Sequence, residues 1–180
     1  MYDINSIMKT LEVGCGPNKQ RADSVGIDIT PNSAADIIWD LNISPWPLDS
    51  DSFDEVICTH VFEHLENRLG VIEEMHRVLR KGGAARISGP HFSCCSFYSD
   101  ITHKFPFSWR MFDFLEEGSK IDTHYTHAKF KIVSRRIVFY KEQQVFLLPF
   151  FFVRFPKLWE KYFAFIFPAR QIEFVLQPIK

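Results

Sequence analysis

Two glycines and one acidic residue near the amino terminus lie where two predicted strands end, and their types and spacing indicate a ligand site there. The apolar residues up to Val13 predict a buried strand, and Gly14 and Gly16 let the backbone turn sharply and approach a ligand closely. A second apolar run ends at Asp28, whose carboxylate can accept hydrogen bonds from both hydroxyls of a ribose. Because open α/β sheets bind ligands at the carboxyl ends of their strands, these residues predict a site for a nucleoside-containing cofactor.

The spacing of these residues does not favour a dinucleotide as that cofactor. A dinucleotide fingerprint has a third glycine, and its acidic residue follows about 20 positions later. This chain has Lys19 in place of the third glycine, and Asp28 comes only twelve residues after Gly16. Pro17 and Asn18 predict a turn rather than a long helix, so a pyrophosphate would be poorly held.

The stretch Glu12–Gly16, followed by Asp28, resembles the first motif and the ribose-binding acid of the class I S-adenosylmethionine-dependent methyltransferases. Further segments continue the resemblance in the family's order, over roughly residues 8–92. The resemblance implies that the cofactor is S-adenosyl-L-methionine. The cofactor-binding residues that it implies are Glu12, Gly14, Cys15, Gly16, Asp28, Ile29, Asp40, Leu41 and His60.

Two of these segments imply contacts with particular parts of the cofactor. Asp40 matches the residue that accepts from the exocyclic amine of the adenine, and Leu41 matches the residue that covers the ring. His60 follows the fourth predicted strand, where the resemblance implies contact with the methionine portion of the cofactor. Glu63 and His64 begin the next helix, and we expect them to cap it or to face solvent.

A second group of residues follows the fifth predicted strand, on the side where an acceptor would meet the cofactor. The order Asp-x-Thr-His-Lys at Asp100–Lys104 resembles a type 11-like subgroup of small bacterial methyltransferases thought to act on glycans or their precursors. A hydroxyl or amine acceptor must lose a proton, and an imidazole can take one near pH 7. His103 and His91 are therefore the predicted catalytic residues. The alternative is that they hold a long loop by hydrogen bonds.

These observations predict methyl transfer from S-adenosylmethionine to a small-molecule or glycan-precursor acceptor, and two alternatives stay open. The first is a non-catalytic module that binds the cofactor and has no acceptor site. The second is a zinc hydrolase, because His60, Glu63 and His64 spell the His-x-x-Glu-His pattern of some zinc peptidases. Here the pattern begins at a strand end, and no downstream glutamate stands out as a third ligand, so we expect no metal.

Composition limits the partners and the compartment. At 180 residues the chain has the length of one domain, which we place at residues 1–180. Its formal charge of -1 predicts no nucleic-acid partner. The four cysteines include the adjacent pair Cys94 and Cys95 and are no disulfide framework. With no signal-peptide pattern at the start of the sequence, a cytoplasmic location is expected.

The segment of residues 146–167 is rich in phenylalanine, which occurs 19 times in the chain. Charged residues and prolines interrupt it well short of the roughly 20 apolar residues that a membrane-spanning helix needs. We expect a core segment or a dimer face, in a monomer or a homodimer, and leave a peripheral membrane contact as the alternative. One buried helical stripe is predicted for Trp159, Tyr162, Phe163 and Ile166.

The elements that must position these residues alternate between strands and helices, which predicts an α/β fold. We expect a doubly wound, mostly parallel sheet with an antiparallel last strand, and the resemblance implies seven strands. Only about ten polar residues join the first two strands, fewer than a parallel crossover usually needs, so the helix between them is predicted to be short or missing. Further helices are predicted from Phe62 to Gly82 and over Phe107–Leu115.

Overall fold

The computed structural model of the chain describes residues 8–121, 124–141 and 148–180. Its strands, in chain order, are β1 (Thr10–Val13), β2 (Val25–Asp28), β3 (Ile37–Ile38), β4 (Phe53–Thr59), β5 (Leu79–Pro90), β6 (Lys129–Phe139) and β7 (Ala169–Ile179). They form one sheet in the order β3-β2-β1-β4-β5-β7-β6. Strand β7 runs antiparallel to β5 and β6, and the other paired strands are parallel. The predicted fold class is confirmed.

The inner strands β1 and β4 form the centre of the core. Leu11, Val56 and Cys58 have no exposed surface, as expected for parallel strands that are covered on both faces. The parallel strands β1, β2 and β4 end at the same edge of the sheet. Loops that follow these three strands are therefore brought together there.

The helices of the described residues are α1 (Arg68–Val78), α2 (Cys95–Ser99), α3 (Leu148–Arg154) and α4 (Pro156–Tyr162). The helix predicted from Phe62 begins later, at Arg68, because the Asn67 side chain accepts a 3.1 Å hydrogen bond from the Gly70 backbone and caps it. Before this cap, Phe62–His64 form a single turn of 3-10 helix. The turn leaves Glu63 and His64 beside the end of β4, away from α1.

The connection between β1 and β2 contains only turns and bends, which confirms that the first helix is missing. Glu12 is only 2% exposed and holds this connection in place through hydrogen bonds. Its carboxylate accepts 2.7 Å hydrogen bonds from the backbone amides of Gln20 and Arg21 and a 2.8 Å bond from the Ser24 hydroxyl. These donors satisfy the buried charge locally, so the loop is held in shape without a helix.

The helix predicted over Phe107–Leu115 is wrong, apart from a turn of 3-10 helix at Asp113–Leu115. Phe107 instead pairs with the chain after β5: its amide donates to the Pro90 carbonyl, and its carbonyl accepts from the Phe92 amide, both at 2.9 Å. Its ring is completely buried against the backbone of Gly89. Burial of this ring in the sheet's core outweighs the local helical pattern, which the sequence alone could not show.

The predicted stripe of four buried residues near the carboxyl terminus is also wrong. Trp159 is fully buried, but Tyr162, Phe163 and Ile166 are 57%, 36% and 66% exposed. The reason is that α4 ends at Tyr162, so the later residues do not continue its buried face. Phe165 is likewise 74% exposed, whereas Phe152, Trp159 and Ala164 belong to the hydrophobic core, so the segment is partly core and partly exposed surface. None of the helices in the described part of the chain is both long and apolar enough to cross a membrane.

Candidate active site

A cleft of about 290 Å³ lies at the edge of the sheet where β1, β2 and β4 end. Most of the predicted cofactor-binding residues line it, while Glu12, Cys15 and Gly16 lie outside the lining. Four lining residues were not predicted for the cofactor: Asn42, Val61, His64 and Leu65. Nothing in their spacing marks them as ligand contacts, because the turn after β4 brings three of them to the cleft. The full lining is Gly14, Asp28, Ile29, Asp40, Leu41, Asn42, His60, Val61, His64 and Leu65.

The glycine loop has the left-handed backbone that the sequence predicts. Gly14 and Gly16 have φ angles of 66° and 59°, which side chains other than glycine rarely adopt. A Cβ on Gly14 would also lie 2.3 Å from a methyl carbon of Val61, in the turn after β4. Gly14 is therefore required both by its own conformation and by the close approach of the neighbouring loop.

Asp28 connects this loop to the end of β2. Its Oδ2 accepts a 2.8 Å hydrogen bond from the Gly16 amide, and its Oδ1 accepts a 2.8 Å bond from the Thr30 amide. Each carboxylate oxygen can accept a second hydrogen bond, so two ribose hydroxyls can still donate to it. Asp28 thus shapes the loop and presents a charged acceptor to the cleft.

The segment after β3 forms another wall of the cleft. Asp40 Oδ1 accepts 2.9 Å hydrogen bonds from the backbone and the side-chain amide of Asn42. The side-chain oxygen of Asn42 in turn accepts from the amides of Glu66 and Asn67, at 2.8 and 3.0 Å. Asn42 therefore fixes the predicted adenine-binding segment to the start of α1, and this explains its place in the lining. Leu41, at 5% exposure, supplies the apolar surface beside it.

His60 stands at the end of β4 with a φ of 54°, an unusual conformation for a residue with a side chain. Its Nδ1 lies 3.2 Å from Glu63 Oε1, and its Nε2 lies 3.2 Å from Gln171 Oε1 on β7. The hydrogen bond to the Glu63 carboxylate raises the pKa of His60 above its ordinary value. This pair of contacts holds the imidazole across the rim of the cleft.

Comparison with known proteins agrees with the fold. Residues 11–87 match the family model of a methyltransferase domain. The match includes β1, the glycine loop, Asp28 and the turn after β4, the parts that form the cleft. The chain has the Rossmann-like fold of the class I S-adenosylmethionine-dependent methyltransferases, and residues 11–87 resemble a methyltransferase domain. None of the curated protein sequences matches it significantly.

Solved structures share the fold of this chain at low sequence identity. A SAM-dependent methyltransferase from Archaeoglobus fulgidus is 18% identical, with a TM-score of 0.64, over 96% of this chain and 86% of its own. A chain in a complex of the Haloferax volcanii Trm112 methyltransferase activator is 14% identical, with a TM-score of 0.61, over 97% of this chain and 85% of its own. The [4+2]-cyclase SpnF is 13% identical, with a TM-score of 0.59, over 97% of this chain and 76% of its own. Because one fold can host different reactions, the acceptor must be argued from the site.

His91, one of the two predicted bases, lies inside the protein with no exposed surface. Its Nδ1 is 2.8 Å from the Ser93 hydroxyl, and its Nε2 is 3.1 Å from Glu160 Oε1 on α4. The same Glu160 oxygen accepts a 2.6 Å hydrogen bond from the Trp109 amide. Both ring nitrogens are thus engaged within the protein, an arrangement that favours the alternative role of holding the loop after β5.

His103, the other predicted base, lies beside the turn after β4. The Glu63 carbonyl accepts hydrogen bonds from the amides of Lys104 and Phe105, at 2.8 and 3.2 Å. Lys104 Nζ also pairs with Glu66 Oε1 at 2.6 Å. These contacts bring the ring of His103 to a centroid distance of 4.7 Å from the ring of His64, which lines the cleft. Imidazoles from two distant segments therefore lie next to each other, and one of them, His64, lines the cleft.

The hydrogen bonds of His103 determine which of its nitrogens can accept a proton. Nδ1 lies 2.9 Å from the carbonyl oxygen of Phe97, which can only accept, so Nδ1 carries the hydrogen. In the neutral ring Nε2 therefore keeps its lone pair. That side chain is 13% exposed, and Nε2 is 3.7 Å from the nearest carboxylate oxygen of Asp100, too far for a hydrogen bond.

Proposed function

We propose that this chain, as one domain of residues 1–180, transfers the methyl group of S-adenosylmethionine to a hydroxyl or amine of a small-molecule or glycan-type acceptor. The observation that carries this proposal is that His64 lines the cleft that Gly14 and Asp28 help to form, with the ring of His103 next to it. The cofactor's positive sulfonium makes its methyl carbon a strong electrophile. The protein must then align the acceptor and remove its proton.

In this proposal Nε2 of His103 takes the proton of the acceptor. The acceptor atom forms its bond to the methyl carbon while the carbon–sulfur bond breaks, and both electrons of that bond stay on sulfur as S-adenosylhomocysteine leaves. The lone pair on Nε2 and its partly exposed position support His103 in this role. His91 is less well supported, because both of its nitrogens are already bonded.

Two experiments test the proposal in sequence. Isothermal titration with S-adenosylmethionine and with S-adenosylhomocysteine measures binding to the cleft, for wild type and for Asp28→Ala, with Asp23→Ala as an exposed aspartate control outside the lining. A screen with methyl-labelled cofactor over sugars, nucleotide sugars, small phenols and peptides then measures transfer. Label on one of these acceptors supports the enzyme; binding without transfer to any of them supports the non-catalytic module. No binding to the cleft contradicts both.

A further inference from the structure

Three side chains on the acceptor side of the cleft converge in the way that metal ligands do. Glu63, His64 and His103 each place one potential ligand atom within 4.8 Å of the other two. Glu63 has no exposed surface, and the two histidines are partly buried. The set differs from the His-x-x-Glu-His pattern of the sequence, because His103 from a distant segment takes the place of His60.

The carboxylate of Glu63 has one oxygen that the described protein does not satisfy. Oε1 bonds to His60 Nδ1 at 3.2 Å, whereas Oε2 is buried and has no hydrogen-bond partner among the described residues. Buried polar atoms are nearly always paired, and an unpaired carboxylate oxygen is especially costly. A cation next to Oε2 would remove this cost, and His60 would then orient the carboxylate from its other oxygen.

Hydrogen bonds also leave the Nε2 atoms of both histidines free to coordinate. The Thr102 hydroxyl donates its proton to Asp100 Oδ1 at 2.6 Å, so its oxygen can only accept from His64 Nδ1, 2.9 Å away. His103 Nδ1 similarly donates to the Phe97 carbonyl. In each neutral ring Nδ1 holds the hydrogen and Nε2 keeps its lone pair. Metal-binding histidines in proteins are oriented in this way by an acceptor at their second nitrogen.

The two segments that carry these ligands are joined by backbone hydrogen bonds, so the cluster is preorganised. The Glu63 carbonyl accepts from Lys104 and Phe105, the residues directly after His103. His64 meanwhile belongs to the lining of the cofactor cleft. An ion in the cluster would therefore keep one side open toward the cleft.

We propose that Glu63, His64 and His103 bind one divalent first-row transition-metal ion at the acceptor side of the cleft. Two imidazoles and one carboxylate, with an open fourth position, form a ligand set that zinc enzymes use. The sequence led us to expect no metal, because it did not reveal the third ligand. Whether the ion binds can be measured without methyl transfer.

The consequence of the ion for catalysis rests on the proposed function. The acceptor oxygen would occupy the open position, where the charge of the ion lowers the pKa of its hydroxyl. Its proton leaves to water, and the oxygen attacks the methyl carbon as the carbon–sulfur bond breaks toward sulfur. With an ion bound to Nε2 of His103, the ion would replace the imidazole base, and the free imidazole would act as base only in the metal-free protein.

Metal titration of the full chain tests the site without cofactor or acceptor. Protein treated with chelator and desalted is titrated with Zn²⁺ alone by calorimetry and with Co²⁺ alone by visible absorption. We expect one ion per chain, and at least about 100-fold weaker binding for Glu63→Gln, His64→Gln and His103→Gln, since even outer-shell changes cost about 10- to 100-fold. His127→Gln, at an exposed histidine outside the cluster, is the matched control and should bind like wild type.

Two further variants keep the test decisive if a ligand variant does not fold. His103→Cys retains a zinc ligand and should bind Zn²⁺ more tightly than His103→Gln. Thr102→Val leaves the three ligands in place, removes the acceptor for His64 Nδ1 together with the hydrogen bond to Asp100, and should weaken binding by about 10- to 100-fold. The proposal is overturned if wild type binds neither ion at one per chain, or if the ligand variants bind as His127→Gln does. Titration with S-adenosylmethionine is separate, so loss of one type of binding does not imply loss of the other.

Discussion

At the scale of single residues, Asp28 holds the Gly16 amide and also presents its carboxylate to the cleft. We expect Asp28→Ala to weaken S-adenosylmethionine binding by at least about tenfold, because hydrogen bonds to a charged acceptor contribute about 1.5 to 3 kcal/mol each. The Gly16 amide also loses its partner. Isothermal titration measures the affinity, and circular dichroism checks the fold. Unchanged affinity would remove Asp28 from the ribose site.

Gly14 gives a second residue-scale prediction. Gly14→Val should abolish cofactor binding, because the new side chain would collide with Val61 and the φ of 66° disfavours a branched residue. Asn18→Gly, in the same loop, should bind the cofactor like wild type. Calorimetry on both variants tests the placement of the loop, which would be refuted by normal binding to the valine variant.

The third prediction concerns the reaction and His103. His103→Ala should lower kcat by about 100- to 10,000-fold, because a group that removes the acceptor proton is lost, while cofactor affinity stays near that of wild type. The affinity is expected to persist because His103 is outside the cleft lining. Steady-state kinetics and calorimetry measure the two effects. Wild-type turnover, or a matching loss of cofactor affinity, would indicate that His103 is structural.

At the scale of elements, the loop after β5 is fastened to α4 by His91 and Glu160. We expect His91→Ala to lower the free energy of unfolding by about 1 to 3 kcal/mol, since Glu160 and Ser93 lose a buried partner. Urea denaturation measures this change, with His127→Ala as the exposed control. If stability is retained and turnover is lost instead, His91 is the base that the sequence predicted.

At the scale of the whole molecule, α3, α4 and the following turn present exposed aromatic side chains. Phe151, Phe155 and Phe165 are 51%, 46% and 74% exposed, and a large apolar patch on a folded protein usually marks an interface. Because these rings are exposed while Phe152 and Trp159 of the same segment lie in the core, we expect a homodimer in analytical ultracentrifugation and a shift toward monomer for Phe165→Glu.

Liposome flotation is the complementary measurement for this surface. A dimer face would already cover the rings, so wild type should not float with vesicles. The side chains of Arg154, Lys157 and Lys161 are exposed and positively charged, so this surface should bind anionic vesicles more readily than neutral ones, and anionic vesicles are used for the test. Flotation of a monomeric protein with these vesicles would reverse the expectation and support the membrane alternative.

The cofactor half of the site could be predicted because its signals are local in the sequence. Gly14, Gly16 and Asp28 lie within one β-loop-β unit, and the turn chemistry of glycine together with the order of parallel strands brings them to one edge. The short connection between these strands likewise predicted the missing helix. The sequence predicted Glu12 as a cofactor-binding residue. In the structure it lies outside the cleft lining and holds the loop by hydrogen bonds to two backbone amides.

The acceptor side could be decided only by the tertiary structure. His103 meets His64 across 39 residues of sequence, and His91 meets Glu160 across 69, through contacts that no local pattern records. One histidine is consequently buried with both nitrogens bonded, while the other keeps a lone pair beside the cleft. The sequence by itself determined the fold and predicted the cofactor and the loops that would bind it, because short-range backbone preferences specify these loops. Packing between distant segments decided which histidines can do chemistry, because it sets burial and hydrogen-bond partners.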